Sequence, residues 1–143
     1  MKARRRADPM SLVMKYVEAA SLDEEQRMDA AAASLDGVNA RVVFDALGKF
    51  GGFIVPNLKP EQLDVIREEL GAANGAPEVQ AAVRDIGTLL LVTPNLPEAY
   101  QTIIRHGPAI RALGDGGWPL VVTLTLRAAG RAFGRLKITM TWT

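Results

Sequence analysis

Trp118–Thr143, WPLVVTLTLRAAGRAFGRLKITMTWT, is the stretch whose reading decides the fold. In it Leu120, Val122, Leu124 and Leu126 alternate with Val121, Thr123, Thr125 and Arg127. The same alternation returns where Leu136, Ile138, Met140 and Trp142 interleave with Arg135, Lys137, Thr139, Thr141 and Thr143. Successive side chains of a strand point to opposite faces, so this pattern predicts two strands, each with an apolar side and a Thr, Arg and Lys side. Residues 128–134, rich in Ala and Gly, then read as the turn between them. A two-stranded ribbon is marginal alone and needs a cover for its apolar side. The upstream residues, which read as helices, supply it. The expected fold is therefore α+β and mainly helical, with five to six helices over 10–113. A C-terminal antiparallel β-hairpin over 118–143 packs on them. Residues 10–143 are expected to form a single domain behind a flexible basic arm, residues 1–9.

Working back from the hairpin, punctuation and period place the helices. Ser11 to Ala20 carries Leu12, Val13, Tyr16 and Val17 on or near one side, and Ser21 with Glu24 has the spacing of a capping box opening a helix to Leu35. Asn39 caps a third helix with Val42, Val43, Leu47 and Phe50 at helical spacing, ended by Gly51 and Gly52. Phe53, Ile54 and Val55 form an apolar run too short to classify, and a third strand beside the hairpin is left open there. Pro60 opens a fourth helix with Leu63, Ile66 and Leu70 inward, and Pro77 a fifth with Val79, Val83, Ile86 and Leu90. Period alone does not assign the short apolar run Thr88 to Thr93, where a buried strand is the alternative and helix is preferred. Asn95 and Glu98 repeat the capping spacing ahead of Leu96, Tyr100, Ile103 and Ile104, with a bend or break expected at Gly107-Pro108.

The chain has 143 residues, no Cys and one His, with a formal net charge of +1. The absent thiols exclude disulfides, thiolate zinc sites and a Cys nucleophile. With His106 the sole imidazole, a metal site of several His ligands is excluded as well, leaving all-oxygen sites for a hard cation. No apolar run approaches the ~20 residues of a membrane helix, and the basic residues 2–6 are not followed by the apolar core of a secretory signal. The expectation is a soluble, cytoplasmic chain without a membrane span. Charge is uneven: residues 7–96 hold seven cations against 14 carboxylates, whereas residues 2–6 hold four cations and residues 97–143 hold six against Glu98 and Asp115. Such asymmetry suits an anionic partner at the ends or copies meeting head to tail.

The chemical signals are sparse. His106 lies at an expected helix end, where its cation would meet the helix dipole, and no nucleophile motif accompanies it. Glu61, Asp64 and Glu68 share one side of the fourth helix, with Glu69 near, and read as a solvated face. Gly114–Gly117 runs from helix into strand, the reverse of a phosphate-binding turn. The reading accordingly assigns no catalytic, cofactor-binding or metal residues and expects no cofactor. The interaction residues it singles out are Arg127, Arg131, Phe133, Arg135 and Lys137, a basic and partly aromatic hairpin tip. From these follows the expectation of a non-enzymatic interaction or assembly protein, homo-oligomeric or bound to a protein partner through the hairpin. The alternative is a winged-helix-like nucleic-acid-binding regulator, with Arg105 and Arg111 reading a groove and the hairpin as wing. An enzyme with an unrecognised site ranks third.

Overall fold

The computed structural model describes residues 8–138, and the stretch that reads as a hairpin is a helix. The elements are α1 (Pro9–Ser21), α2 (Glu25–Leu35), α3 (Ala40–Ile54), a single 3₁₀ turn (Val55–Asn57), α4 (Pro60–Gly71), α5 (Pro77–Leu91), α6 (Leu96–Arg111) and α7 (Gly117–Arg135). Among the described residues there is no strand or sheet, so the expected α+β class and the terminal β-hairpin are corrected to an all-helical fold, and Phe53–Val55, left open as a third strand, ends α3 and opens the 3₁₀ turn. Residues 139–143 of the expected return strand, and residues 1–7 of the expected basic arm, lie outside the described residues.

Burial explains why α7 is helical despite its alternation. Among the residues it hides, Val121, Val122, Thr125, Leu126, Ala129, Ala132 and Phe133, at steps of one, three and four, trace one side of a 3.6-residue helix, and the small Gly117, Ala128 and Gly130 are buried as well. A strand would have hidden Leu120 instead, which is 44% exposed. The threonines, poor helix formers by side-chain stiffness, are accommodated by back-bonding: Thr123 Oγ1 donates to Pro119 O at 2.9 Å and Thr125 Oγ1 to Val121 O at 2.7 Å. The expected turn at 128–134 is the most closely packed part of the helix. A Cβ on Gly130 would stand 2.6 Å from Val17 O and 2.4 Å from the Ala20 Cβ, and one on Gly134 would stand 2.6 Å from Ser21 O. These glycines, four residues apart, let α7 lie against α1 backbone to backbone. Tyr16 to Ser21 meets Arg127 to Gly134 in the same chain direction, so the two helices run parallel.

α7 touches α1, α3, α4, α5 and α6, and α1 is its most extensive neighbour, while α2 rests on α1. The core between them contains Tyr16, Phe44, Leu47, Ile66, Leu70, Ile86, Leu90 and Phe133, all fully buried. Two edge-to-face aromatic pairs cross it, Phe50 with Phe133 at 5.7 Å and Phe44 with Trp118 at 6.3 Å between centroids. The caps of the middle helices are those the sequence suggests. Asn39 Oδ1 accepts from Arg41 N at 2.8 Å, Asn95 Oδ1 accepts from Glu98 N at 3.1 Å, and Pro60 and Pro77 open α4 and α5.

Three boundaries differ from the sequence reading. Ser21 does not cap α2. It closes α1, its hydroxyl donating to Glu18 O at 2.6 Å, and Asp23 turns the chain at φ 54°. Gly51 and Gly52 do not end α3, which runs to Ile54, and Gly51 lies where α3 presses on the Leu90 carbonyl of α5. Gly107-Pro108 does not break α6, which continues to Arg111. No helix of the described residues is long and apolar enough to cross a membrane.

Candidate functional site

The basic residues expected at a hairpin tip fall instead along α7. Arg127, Arg131 and Arg135 stand four residues apart and share one side of the helix, and the two at the ends of the row meet carboxylates of other helices. Arg135 Nη1 meets Glu69 at 2.9 Å and Glu68 at 3.4 Å, tying the end of α7 to α4. Arg127 Nη2 lies 3.8 Å from Glu25, while its Nε is buried with no hydrogen-bond partner among the described residues. Beside it, burial pushes the Tyr16 phenol above its ordinary value, and the Arg127 guanidinium opposes that shift. Phe133 is fully buried against Phe50 and has no face open to a base. Arg131 and Lys137 alone of the set remain exposed without an ion pair among the described residues. The expected hairpin tip is thereby corrected to a helix on which Arg127 and Arg135 are tied to neighbouring helices and Phe133 is a core side chain.

The two expected groove readers are also placed on a helix, α6. Arg105 donates to Thr102 Oγ1 at 2.8 Å and approaches Glu98 at 3.7 Å, and Arg111 folds its guanidinium over Gly107. His106 is not at a helix end. Its Nε2 lies 2.9 Å from Asp85 Oδ2 on α5, and Asp85 also meets Arg84 Nε at 3.3 Å. An imidazole held by a carboxylate is half of a nucleophile-activating set. The pair joins α5 to α6, and among the described residues no hydroxyl is hydrogen-bonded to it.

A second polar cluster, which the sequence reading missed, bridges α3 and α6. The Tyr100 hydroxyl donates to Asp45 Oδ1, Lys49 Nζ lies 3.1 Å from Asp45 Oδ2, and the Arg41 guanidinium sits 4.7 Å over the Tyr100 ring. The Tyr100 hydroxyl holds the Asp45 carboxyl below its ordinary range, and the same bond raises the Tyr100 phenol. Among the described residues no group of three or more acidic or histidine side chains is placed to hold a metal ion.

The surface feature with an accommodating shape is a cleft of about 140 Å³ where the α2–α3 loop meets the start of α7. Leu35, Val38, Val43, Trp118 and Val122 line it, with Thr123 and Asp36 on its polar side. Each element has a local reason to be there. Gly37, at φ 78°, reverses the chain after α2, the Asn39 cap starts α3, and the Trp118 ring is held edge-on by Phe44. A larger, shallower hollow of about 340 Å³ lies at the far end of α1 and α7, where Leu22 is 56% exposed. The one sequence signal near the first cleft was Asn39, read only as the cap of the third helix.

The chain matches no family model, no curated protein and no solved structure.

Proposed function

We propose that this protein is a non-enzymatic interaction module, and that the cleft at the α2–α3 loop and the start of α7 receives an apolar side chain of a protein partner. The observation that carries the reading is a mostly apolar cleft, about 140 Å³, framed by a fixed tryptophan with a carboxylate beside it. Sites that take a side chain combine an apolar body with a few polar groups that orient what enters. The polar clusters elsewhere are accounted for as joints between helices: Asp85 with His106, Asp45 with Tyr100, and Arg135 with Glu68 and Glu69. The assembly role first read from a hairpin thus passes to a helical surface. The winged-helix alternative required that hairpin as its wing and is not carried forward.

The test is an NMR titration with N-acetyl-phenylalanine amide as a neutral side-chain probe. Saturable shifts confined to Leu35, Val38, Trp118 and Val122, abolished in Thr123→Arg, are the expected result. Shifts scattered over the surface, or none, would overturn the reading.

A further inference from the structure

We infer that the occupant of the cleft is Phe53 of a second copy of this chain, so that copies join head to tail. This rests on the interaction reading above and adds the partner's identity. Phe53 is 84% exposed, the most exposed large apolar side chain among the described residues. It is also firmly based. It belongs to the last turn of α3, Asn57 Nδ2 donates to its carbonyl at 3.2 Å, and Gly52 beside it has open space where a side chain would be. An isolated aromatic ring standing clear of a rigid helix end is a knob rather than a patch.

Size and charge both match this knob to the cleft. An apolar cavity of about 150 Å³ accepts a benzene ring, and the cleft offers about 140 Å³. Its lining is mostly aliphatic, with the Trp118 ring on it and Asp36 and Thr123 as its polar members, and an aromatic ring entering it can pack edge to face on the indole. Lys49 lies one turn before Phe53 on the same side of α3, its side chain 65% exposed and its ammonium in a surface pair with Asp45 at 3.1 Å that is weak enough to exchange for another carboxylate. A ring entering the cleft of the next copy would bring this ammonium towards the rim that carries Asp36, whose carboxylate has no ion pair among the described residues. The exposed charges orient the approach and add little affinity.

Knob and cleft occupy opposite ends of α3. Ala40 and Val43 of the cleft belong to its first turn and Phe53 to its last, about 20 Å away along the axis. The contact therefore joins two different patches, so it propagates along a file of copies unless the rotation closes a ring. One side chain in one cleft gives weak association, which places the range to be searched at up to about 1 mM protein.

The experiment is sedimentation velocity on the full chain from about 10 μM to that limit, on wild type, Phe53→Ala and Thr123→Arg, with unchanged helical circular dichroism as the check on folding. Wild type should grow in mass with concentration past a dimer, and each variant alone should stay monomeric. Mixed together, the two variants should form a 1:1 pair and nothing larger, because Phe53→Ala keeps the cleft and Thr123→Arg keeps the knob. Association of Phe53→Ala equal to wild type, or a mixture that does not pair, overturns the inference. A wild type that stays monomeric while its cleft still takes the phenylalanine amide also overturns it, and leaves the interaction reading standing. Loss of both signals removes both.

Discussion

Two adjacent glycines of α3 should respond to the same substitution with opposite sign. At Gly51 an added Cβ would stand 1.8 Å from the Leu90 carbonyl oxygen, about 1.6 Å inside the 3.4 Å at which ordinary contact begins. The obstacle is backbone in the middle of the α3–α5 contact, so it cannot rotate away, and the helices must part along a line of fully buried side chains. Overpacking of this kind costs about 3 kcal/mol at the upper end of its usual range, and the gain of Ala over Gly in a helix returns about 1 kcal/mol. Gly51→Ala should therefore lose at least about 2 kcal/mol, or about 8 °C in Tm for a chain of this length. At Gly52 an added Cβ meets nothing within 4 Å, so only the helix term remains. Gly52→Ala should gain about 0.5–1 kcal/mol, or roughly 2–4 °C. Thermal unfolding followed by circular dichroism reads both. If the pair shifts in the same direction, α3 either ends at these glycines or does not press on α5, and the packing argument fails.

Further predictions concern α7 and the phenols. Thr125→Asp should cost about 3 kcal/mol or more in urea unfolding because Thr125 is fully buried, whereas Leu120→Asp should cost about 1 kcal/mol or less at its half-exposed position in the first turns of α7; a hairpin would reverse the two. Asp45 has its pKa lowered by the Tyr100 hydroxyl, so its contribution is present above the unfolded carboxylate range and is lost as pH falls through the folded value. Tyr100→Phe should then be less stable than wild type at pH 7 by about 1 kcal/mol, with the gap closing in acid; a gap independent of pH below 4 would contradict the assignment. Burial raises the Tyr16 phenol above its ordinary 10.0, so its share of stability is complete below pH 10 and declines as pH rises through the folded value. Tyr16→Phe should accordingly flatten the alkaline arm of the stability curve, and an unchanged arm would show that Tyr16 does not titrate differently on folding.

The middle of the chain is legible because its helices carry explicit start signals and a single period. Asn39, Pro60, Pro77 and Asn95 each stand at a helix start, and Ile66, Leu70, Val79, Val83, Ile86 and Leu90 recur at spacings a strand does not use. The last helix misleads because Leu120–Leu126 satisfies two periods at once. Its even positions are all apolar, but Val121 and Thr125 share the buried side with Val122 and Leu126 once the hydroxyls back-bond. Ala128–Gly134 resembles a turn in composition, yet small residues also allow two backbones to touch, and the four-residue interval from Gly130 to Gly134 was the available sign of that. The four-residue rhythm of Arg127, Arg131 and Arg135 pointed the same way. Phe53 and the cleft were beyond a sequence reading for a different reason: one lay in an apolar run too short to classify, and the other is made by three segments that only the fold brings together.

The central claim is that residues 117–135 form one helix packed against α1, and backbone NMR assignment of this stretch tests it most directly. The expected result is an unbroken run of positive ¹³Cα secondary shifts from Gly117 to Arg135, with nuclear Overhauser contacts from Gly130 to Val17 and Ala20. Negative shifts from Leu120 to Arg127, with contacts from Leu126 across to Leu136, would restore the hairpin and contradict the fold, the cleft and the assembly built on them.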